Sequence, residues 1–309
     1  MKQNYALIDQ EIDKKFLSLK LEQSEMVAEK LKLSWSNWGF GSEPLEESLE
    51  RLSRNRIPYI ELHGNHYGKD LGYRINDIKP MLKNAGIKVS GVCGMFSRES
   101  DLSSVSPFHR QAAIDYIKRE VEFTAELGGS YLLVVPAAVG RPVPYDAMEL
   151  SRSIETLRII AEVFLEYGVK GAVEPIRSEE TTIVHTIAQA SEFIEKLGCA
   201  GISHINGDVF HMQAGEAHIS QAIIEAGPQL VNLHMADSHR GALGAGSMDL
   251  DRIIEALYLI NYNNRDCFVT PEPLGPGGDP YPAMYGNPDK SNLDMLVEQS
   301  IRYFRSREN

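Results

Sequence analysis

Residues 231–249 read VNLHMADSHRGALGAGSMD, an apolar run that stops in a polar, glycine-rich loop carrying His234, Asp237, His239 and Arg240. Successive side chains of an extended strand point to opposite faces. Leu233 and Met235 therefore share one side, and Asn232 and His234 the other. Three other β-rich runs end in the same manner: VKGAVEP places Glu174 at its exit, GISHINGDVF places Asp208, and DCFVTPEP places Glu272. Four potential metal ligands thus stand at four strand ends.

Outward from this stretch, short β-rich runs alternate with longer helical ones from about residue 32 onward, the pattern of a parallel sheet with crossover helices. Eight runs are predicted as strands: LKLSWSNW, IPYIELHG, IKVSGVCGMF, SYLLVVP, VKGAVEP, GISHINGD, LVNLHMAD and DCFVTPEP. Between them, residues 107–127 and 151–167 carry apolar side chains at spacings of three and four, which predicts helices. Gly86, Gly128, Gly168 and Gly201 are expected to stop helices by taking the left-handed turn that suits glycine. Eight such units over roughly 250 residues point to a closed (β/α)8 TIM barrel rather than an open sheet. The expected organisation is a single domain, with residues 1–31 as an N-terminal helical extension and residues 32–309 as the barrel. Side chains at the C-terminal ends of barrel strands converge on one mouth, which is where Glu174, Asp208, His234 and Glu272 fall. Residues 274–291, LGPGGDPYPAMYGNPDKS, are too long for a simple turn, and suit a lid or a subunit contact.

Composition narrows the function classes. The 309 residues are 43 % hydrophobic and 24 % charged, which is ordinary for a globular protein. No run approaches the ~18 apolar residues of a membrane span, and the N-terminus lacks the apolar core of a secretory signal, so a cytoplasmic location is expected. Cys93, Cys199 and Cys267 are too few and scattered for a disulfide framework or a CxxC zinc site, and they fit a reducing compartment. A net charge of −12 opposes attraction to phosphate backbones, so no nucleic-acid partner is expected. A small neutral substrate fits this charge better.

Two glutamates, an aspartate and a histidine form a set of mostly hard oxygen donors with one imidazole. Such a set suits Mn²⁺, Mg²⁺ or Co²⁺ with open positions better than a closed structural zinc. One acid at a strand end is as often a helix N-cap or ion-pair partner. The weight lies in four such residues on four consecutive strands, which a barrel makes spatial neighbours.

The strand ends EPIRSEET, DVFHM, HMADSHRGALGAG and PEPLG, with DLSSVSPFHRQAAIDYIKREVEFTAELGG ahead of the fourth strand, resemble the xylose-isomerase-like TIM-barrel superfamily. Within it the chain is most similar to the ketose 3-epimerases that act on D-tagatose and D-psicose, from about residue 32 onward. The resemblance implies that Glu174, Asp208, His234 and Glu272 hold one divalent metal ion, Mn²⁺ first, with Mg²⁺ or Co²⁺ as substitutes and Zn²⁺ less suited. It implies that Glu174 and Glu272 move the proton, and that His211 bonds the reacting end of the sugar. Arg240 is expected to hold oxygens near the carbonyl, and Glu180 to contact both substrate and His211. A homodimer or homotetramer is implied as well. Epimerisation at carbon 3 removes a weakly acidic proton beside a carbonyl and returns one to the opposite face through a cis-enediolate. Two opposed carboxylates and a Lewis acid answer that chemistry. The chain departs from the family where many relatives read Glu-Pro-Leu-Asn-Arg: here the run is Glu174-Pro175-Ile176-Arg177-Ser178, with Arg177 open to an anionic substrate group or to an ion pair with Glu179 or Glu180.

Alternatives in the same superfamily are an aldose–ketose isomerase, an inosose isomerase or dehydratase, and an abasic-site endonuclease, the last calling for more His and Asp ligands and a basic face. A sugar-binding protein without turnover would not require two opposed carboxylates. Of the remaining polar candidates, His63 and His66 are expected to line the pocket or to make structural hydrogen bonds, and Cys93 to form an apolar wall. Trp35 and Trp38 suit core packing or the face of a sugar. GALGAG lacks the Lys-Ser/Thr of a phosphate-cradling loop.

Overall fold

Strands that are apolar on both faces need cover on both, and in a parallel sheet the crossover helices supply it. The computed structural model describes residues 5–64, 72–274 and 289–307. Its strands are β1 Tyr59–His63, β2 Lys88–Cys93, β3 Tyr131–Val134, β4 Lys170–Val173, β5 Ile202–Asp208, β6 Leu230–Met235 and β7 Phe268–Pro271. They pair in parallel in chain order.

The expectation of eight strands is corrected to seven with a bridging segment. LKLSWSNW forms only isolated bridges, Leu33 to Val269 of β7 and Ser36 to Glu61 of β1. Ser34 N–H donates to Val269 O at 2.8 Å, and Glu61 N–H donates to Trp35 O at 2.8 Å. Alternate residues of one short run thus serve two different neighbours and close the barrel between β7 and β1. The run cannot extend further because Asn37–Phe40 coils at once into a 3-10 turn. Trp35 belongs to the core, 1 % exposed and stacked 6.1 Å from Phe40.

The helices are α1 Tyr5–Glu22, α2 Leu45–Arg54, α3 Ile75–Ala85, α4 Pro107–Glu126, α5 Glu149–Tyr167, α6 Ile187–Leu197, α7 Val209–Gly215, α8 Ile219–Ala226, α9 Leu250–Leu259 and α10 Lys290–Arg307. Proline in the first turn of α4 has no intrahelical partner to lose. Thr186 caps α6 by accepting from Gln189 N–H at 3.1 Å. The glycine that ends α6 is Gly198, at φ 66°, and not Gly201 as the sequence suggested. Gly201 serves a different need: a Cβ there would lie 2.4 Å from Ala161 O, so its absence lets the entry to β5 press against α5. Outside the barrel, α1 is tied to α9 by Asp13 and Arg252 at 3.0 Å, and to the start of α8 by Asp9 and His218 Nε2 at 3.0 Å.

One zone of the barrel interior is polar. Asn232 Nδ2 donates to Asn206 Oδ1 at 2.9 Å, Thr270 Oγ1 donates to Asn232 Oδ1 at 2.7 Å, and Ser34 and Ser90 hydroxyls meet at 2.8 Å. Buried polar groups persist only when paired in this way. Among the described residues no helix is long and apolar enough to cross a membrane. His66 and most of the expected lid, residues 275–288, lie outside the described residues.

Candidate active site

Each predicted ligand stands at or just beyond the end of its strand. Glu174 follows β4, its N–H donating to Val134 O at 3.0 Å, and Glu272 follows β7, its N–H donating to Met235 O at 2.8 Å. Asp208 ends β5 and pairs in register with His234 of β6. All four are buried, between 1 % and 5 % exposed. His234 Nδ1 faces two carboxylates, 3.8 Å from Glu174 Oε1 and 3.6 Å from Glu272 Oε1. Asp208 does double service: Oδ1 caps α7 by accepting from Phe210 N–H at 2.8 Å, whereas buried Oδ2 has no hydrogen-bond partner.

Arg240 lies in the loop after β6 with a left-handed φ of 56°, a strained conformation for a side-chain-bearing residue. Its N–H donates to Asp237 O at 2.7 Å and its carbonyl accepts from Leu274 N–H at 2.9 Å, so the surroundings hold the conformation. The guanidinium donates to Glu272 Oε2 at 2.7 Å, lies 3.6 Å from Asp208 Oδ2, and rests between the rings of Phe210 at 4.5 Å and Trp38 at 4.9 Å. His211, on α7, comes within 3.4 Å of Asp208 Oδ2. Glu180 turns to Arg177, whose Nε donates to Oε1 at 2.5 Å, and no hydrogen bond joins Glu180 to His211 among the described residues. Arg177 also stacks on Phe210, at 4.6 Å.

The other loop residues hold the frame. Asp237 accepts from the N–H groups of Ser238, Gly244 and Met248 at 2.7, 3.0 and 3.1 Å, so an amide of the GALGAG turn and the amides on either side of it serve the chain's own carboxylate. His239 is exposed. His63 N–H donates to Asn37 Oδ1 at 2.9 Å and its ring lies 5.3 Å from Tyr73. Cys93 is buried and, like the other two cysteines, free.

A residue the sequence reading passed over stands at the centre. Glu61 of β1 is 0 % exposed and accepts from His234 Nε2 at 2.8 Å. It escaped notice because it lies mid-strand rather than at an exit. The available signal was its type, since an acid inside a strand buried on both faces is rare without a specific partner.

Crowding of four carboxylates shapes the electrostatics. Burial, followed by the fields of Asp208, Glu272 and Glu61, pushes the Glu174 carboxyl up to about 8 against the opposing pull of His234. Burial raises Glu272 as well, against His234 and Arg240. For His234 burial alone would favour the neutral ring, but Glu272 and Glu61 outweigh it and hold its pKa well above the usual value. Burial brings His211 down to about 4, so at neutral pH its contact with Asp208 joins a neutral imidazole to a carboxylate. Burial alone would raise Asp208, but His211, then Arg240 and His234, outweigh it and hold the carboxyl below its usual value.

This arrangement fits a divalent cation. The donors form two overlapping triplets that share His234: Glu174, Asp208 and His234, and Glu61, His234 and Glu272, each with its ligand atoms within 4.8 Å of one another. An excess of buried negative charge and an Asp208 oxygen that makes no hydrogen bond are what a hard cation would relieve.

Comparison with known proteins agrees with this architecture. Residues 49–305 match the profile of the xylose isomerase-like TIM barrel. The chain is 27 % identical over 241 residues to the 3-dehydro-D-guloside 4-epimerase of Escherichia coli, spanning 75 % of this chain and 89 % of that protein. It is 30 % identical over 221 residues to the L-ribulose 3-epimerase of Mesorhizobium japonicum, spanning 70 % of this chain and 73 % of that one. A solved structure of an L-ribulose 3-epimerase superposes with a TM-score of 0.78 at 22 % identity, covering 90 % of this chain and 95 % of the other, a likeness of fold.

Proposed function

The chain belongs to the xylose isomerase-like TIM-barrel family, and on that premise we propose that it is a divalent-metal-dependent sugar epimerase that inverts carbon 3 of a ketose. The observation that carries this reading is the pair of buried carboxylates, Glu174 and Glu272, approaching one imidazole nitrogen from the ends of β4 and β7. Glu174, Asp208, His234 and Glu272 would hold the ion, Mn²⁺ before Mg²⁺ or Co²⁺. When bound, it supplies Lewis-acid stabilisation of negative charge growing on the sugar oxygens.

The chain's own residues then divide the work. One of Glu174 and Glu272 removes the proton beside the carbonyl and the other returns a proton to the opposite face, exchanging roles with the direction of reaction. Burial and neighbouring negative charge make Glu174 a stronger base than a solvated carboxylate. Arg240, clamped between Trp38 and Phe210, offers a rigid cation for oxygens next to the reacting carbon. His211, neutral and buried, would hydrogen-bond the reacting end of the sugar. Glu180 and Arg177 act as a pair at the rim and would set which sugar is accepted.

A second reading is inversion at carbon 4 of a 3-keto sugar, favoured by the match over 89 % of the Escherichia coli 4-epimerase. The chemistry is the same, and only the position of the carbonyl differs. One experiment separates the two: solvent deuterium incorporation followed by NMR in ketoses, 3-keto glycosides and inososes, with Mn²⁺, for wild type and Glu272→Gln. Exchange at carbon 3 of a ketose that vanishes in the variant supports the first reading, and exchange at carbon 4 of a 3-keto glycoside the second. Exchange at carbon 1 would indicate an aldose–ketose isomerase, and no exchange in any candidate would leave a sugar-binding protein.

A further inference from the structure

The proposed metal binding and proton transfer together leave one buried carboxylate of the site, Glu61, without a task. Both oxygens of Glu61 are nevertheless committed: Oε1 accepts from His234 Nε2 at 2.8 Å, and Oε2 accepts from the Tyr131 hydroxyl at 2.7 Å and from Asn232 Nδ2 at 3.1 Å. Asn232 is itself fixed, donating to Asn206 Oδ1 at 2.9 Å and accepting from Thr270 at 2.7 Å. The carboxylate is therefore held by three donors, one on β3 and two on β6, with at least one on each oxygen.

We infer that Glu61 is a positioning residue: by accepting the Nε2 proton of His234 it sets the ring's orientation and tautomer, leaving Nδ1 as the nitrogen that faces the metal. The inference rests on the metal site proposed above. An imidazole that ligates through one nitrogen carries its proton on the other, and a carboxylate on that proton strengthens the ligand. The opposite edge of the ring bears this out in geometry, since Nδ1 is the atom that faces Glu174 and Glu272. The competing role for Glu61 is direct ligation, since with His234 and Glu272 it forms a triplet of its own.

The test is Mn²⁺ binding to the full chain, wild type against Glu61→Gln, read from the electron paramagnetic resonance of free Mn²⁺ and accompanied by circular dichroism of both proteins without metal. The expected result is one ion per chain in wild type and binding weakened about 10- to 100-fold in the folded variant. A second measurement needs no substitution: ¹⁵N NMR of histidine-labelled wild type loaded with Zn²⁺ should show His234 with a proton on Nε2, shifted downfield by the hydrogen bond, and none on Nδ1. Equal Mn²⁺ affinity in the folded variant, or a proton on Nδ1 of the loaded wild type, would overturn the inference while leaving the metal site standing. Two ions per chain in wild type and one in the variant would make Glu61 a ligand and overturn it too. A wild type that binds no ion would remove the metal site and the inference together.

Discussion

Replacing Glu174 by Gln should make the metal-free protein more stable while abolishing its function. In the folded chain the Glu174 carboxyl is pushed up to about 8 from 4.5, first by burial and then by Asp208, Glu272 and Glu61. Its folded-state pKa is raised, so between pH 4.5 and 8 the native state binds more protons than the unfolded state. Stability therefore falls as pH rises through that window. At ~1.4 kcal/mol per unit, the cost is absent below pH 4.5, about 3 kcal/mol at pH 7, and approaches 5 kcal/mol above pH 8. Glutamine keeps the shape and removes the titration. Urea unfolding of chelator-treated wild type and Glu174→Gln at pH 4.5, 7 and 8.5 should give nearly equal stabilities at the lowest pH and a growing advantage for the variant at the higher two. Saturating Mn²⁺ should then reverse the order, because an ion bound only by the folded state stabilises in proportion to the logarithm of its excess over Kd, and the variant has lost a ligand. A variant that is less stable than wild type at pH 8.5 without metal, or a difference independent of pH, would refute the account of the site as a store of uncompensated negative charge.

Glu120 of α4 tests the same physics away from the site: burial pushes it up to about 7 against the pull of Arg119, so stability is lost as pH rises from 4.5 through 7. Glu120→Gln should gain up to about 3 kcal/mol over wild type at pH 8 and nothing at pH 4.5, read by urea unfolding. Asp237→Ala strands the three amide donors of the loop that carries Arg240 and should cost about 2–4 kcal/mol, with faster amide hydrogen exchange at residues 238–248 and unchanged protection in β3 and β4. Phe304→Ala in α10, where the ring is 0 % exposed, should cost about 3–5 kcal/mol in equilibrium unfolding without altering Mn²⁺ affinity.

Much of the architecture was written in the sequence because it depends on local pattern. Apolar runs of strand length punctuated by helical spacing gave the parallel barrel, and all seven strands fall inside runs read as strands. Glu174, Asp208, His234 and Glu272 stood out because each interrupts an apolar run at its C-terminal end, and barrel topology alone carries such positions to a common mouth. Where the sequence reading missed, a partner distant in the chain decided the outcome. Nothing within LKLSWSNW reveals that its alternate residues bond to β7 and β1 in turn, because a bridge is a property of three segments. Gly198 and Gly201 look alike as residues, and only the approach of α5 to the second distinguishes a helix stop from a close contact. Glu61 was hidden for the same reason. A strand's own sequence does not say what faces it across a barrel, and the 2.8 Å contact that gives Glu61 its meaning joins residues 173 positions apart. Local sequence pattern was enough to say which elements form and which chemistry gathers at the mouth. Tertiary structure alone decided how the imidazole is held and how the barrel closes, because hydrogen bonds across its interior are set by three-dimensional register and leave no periodic trace along the chain.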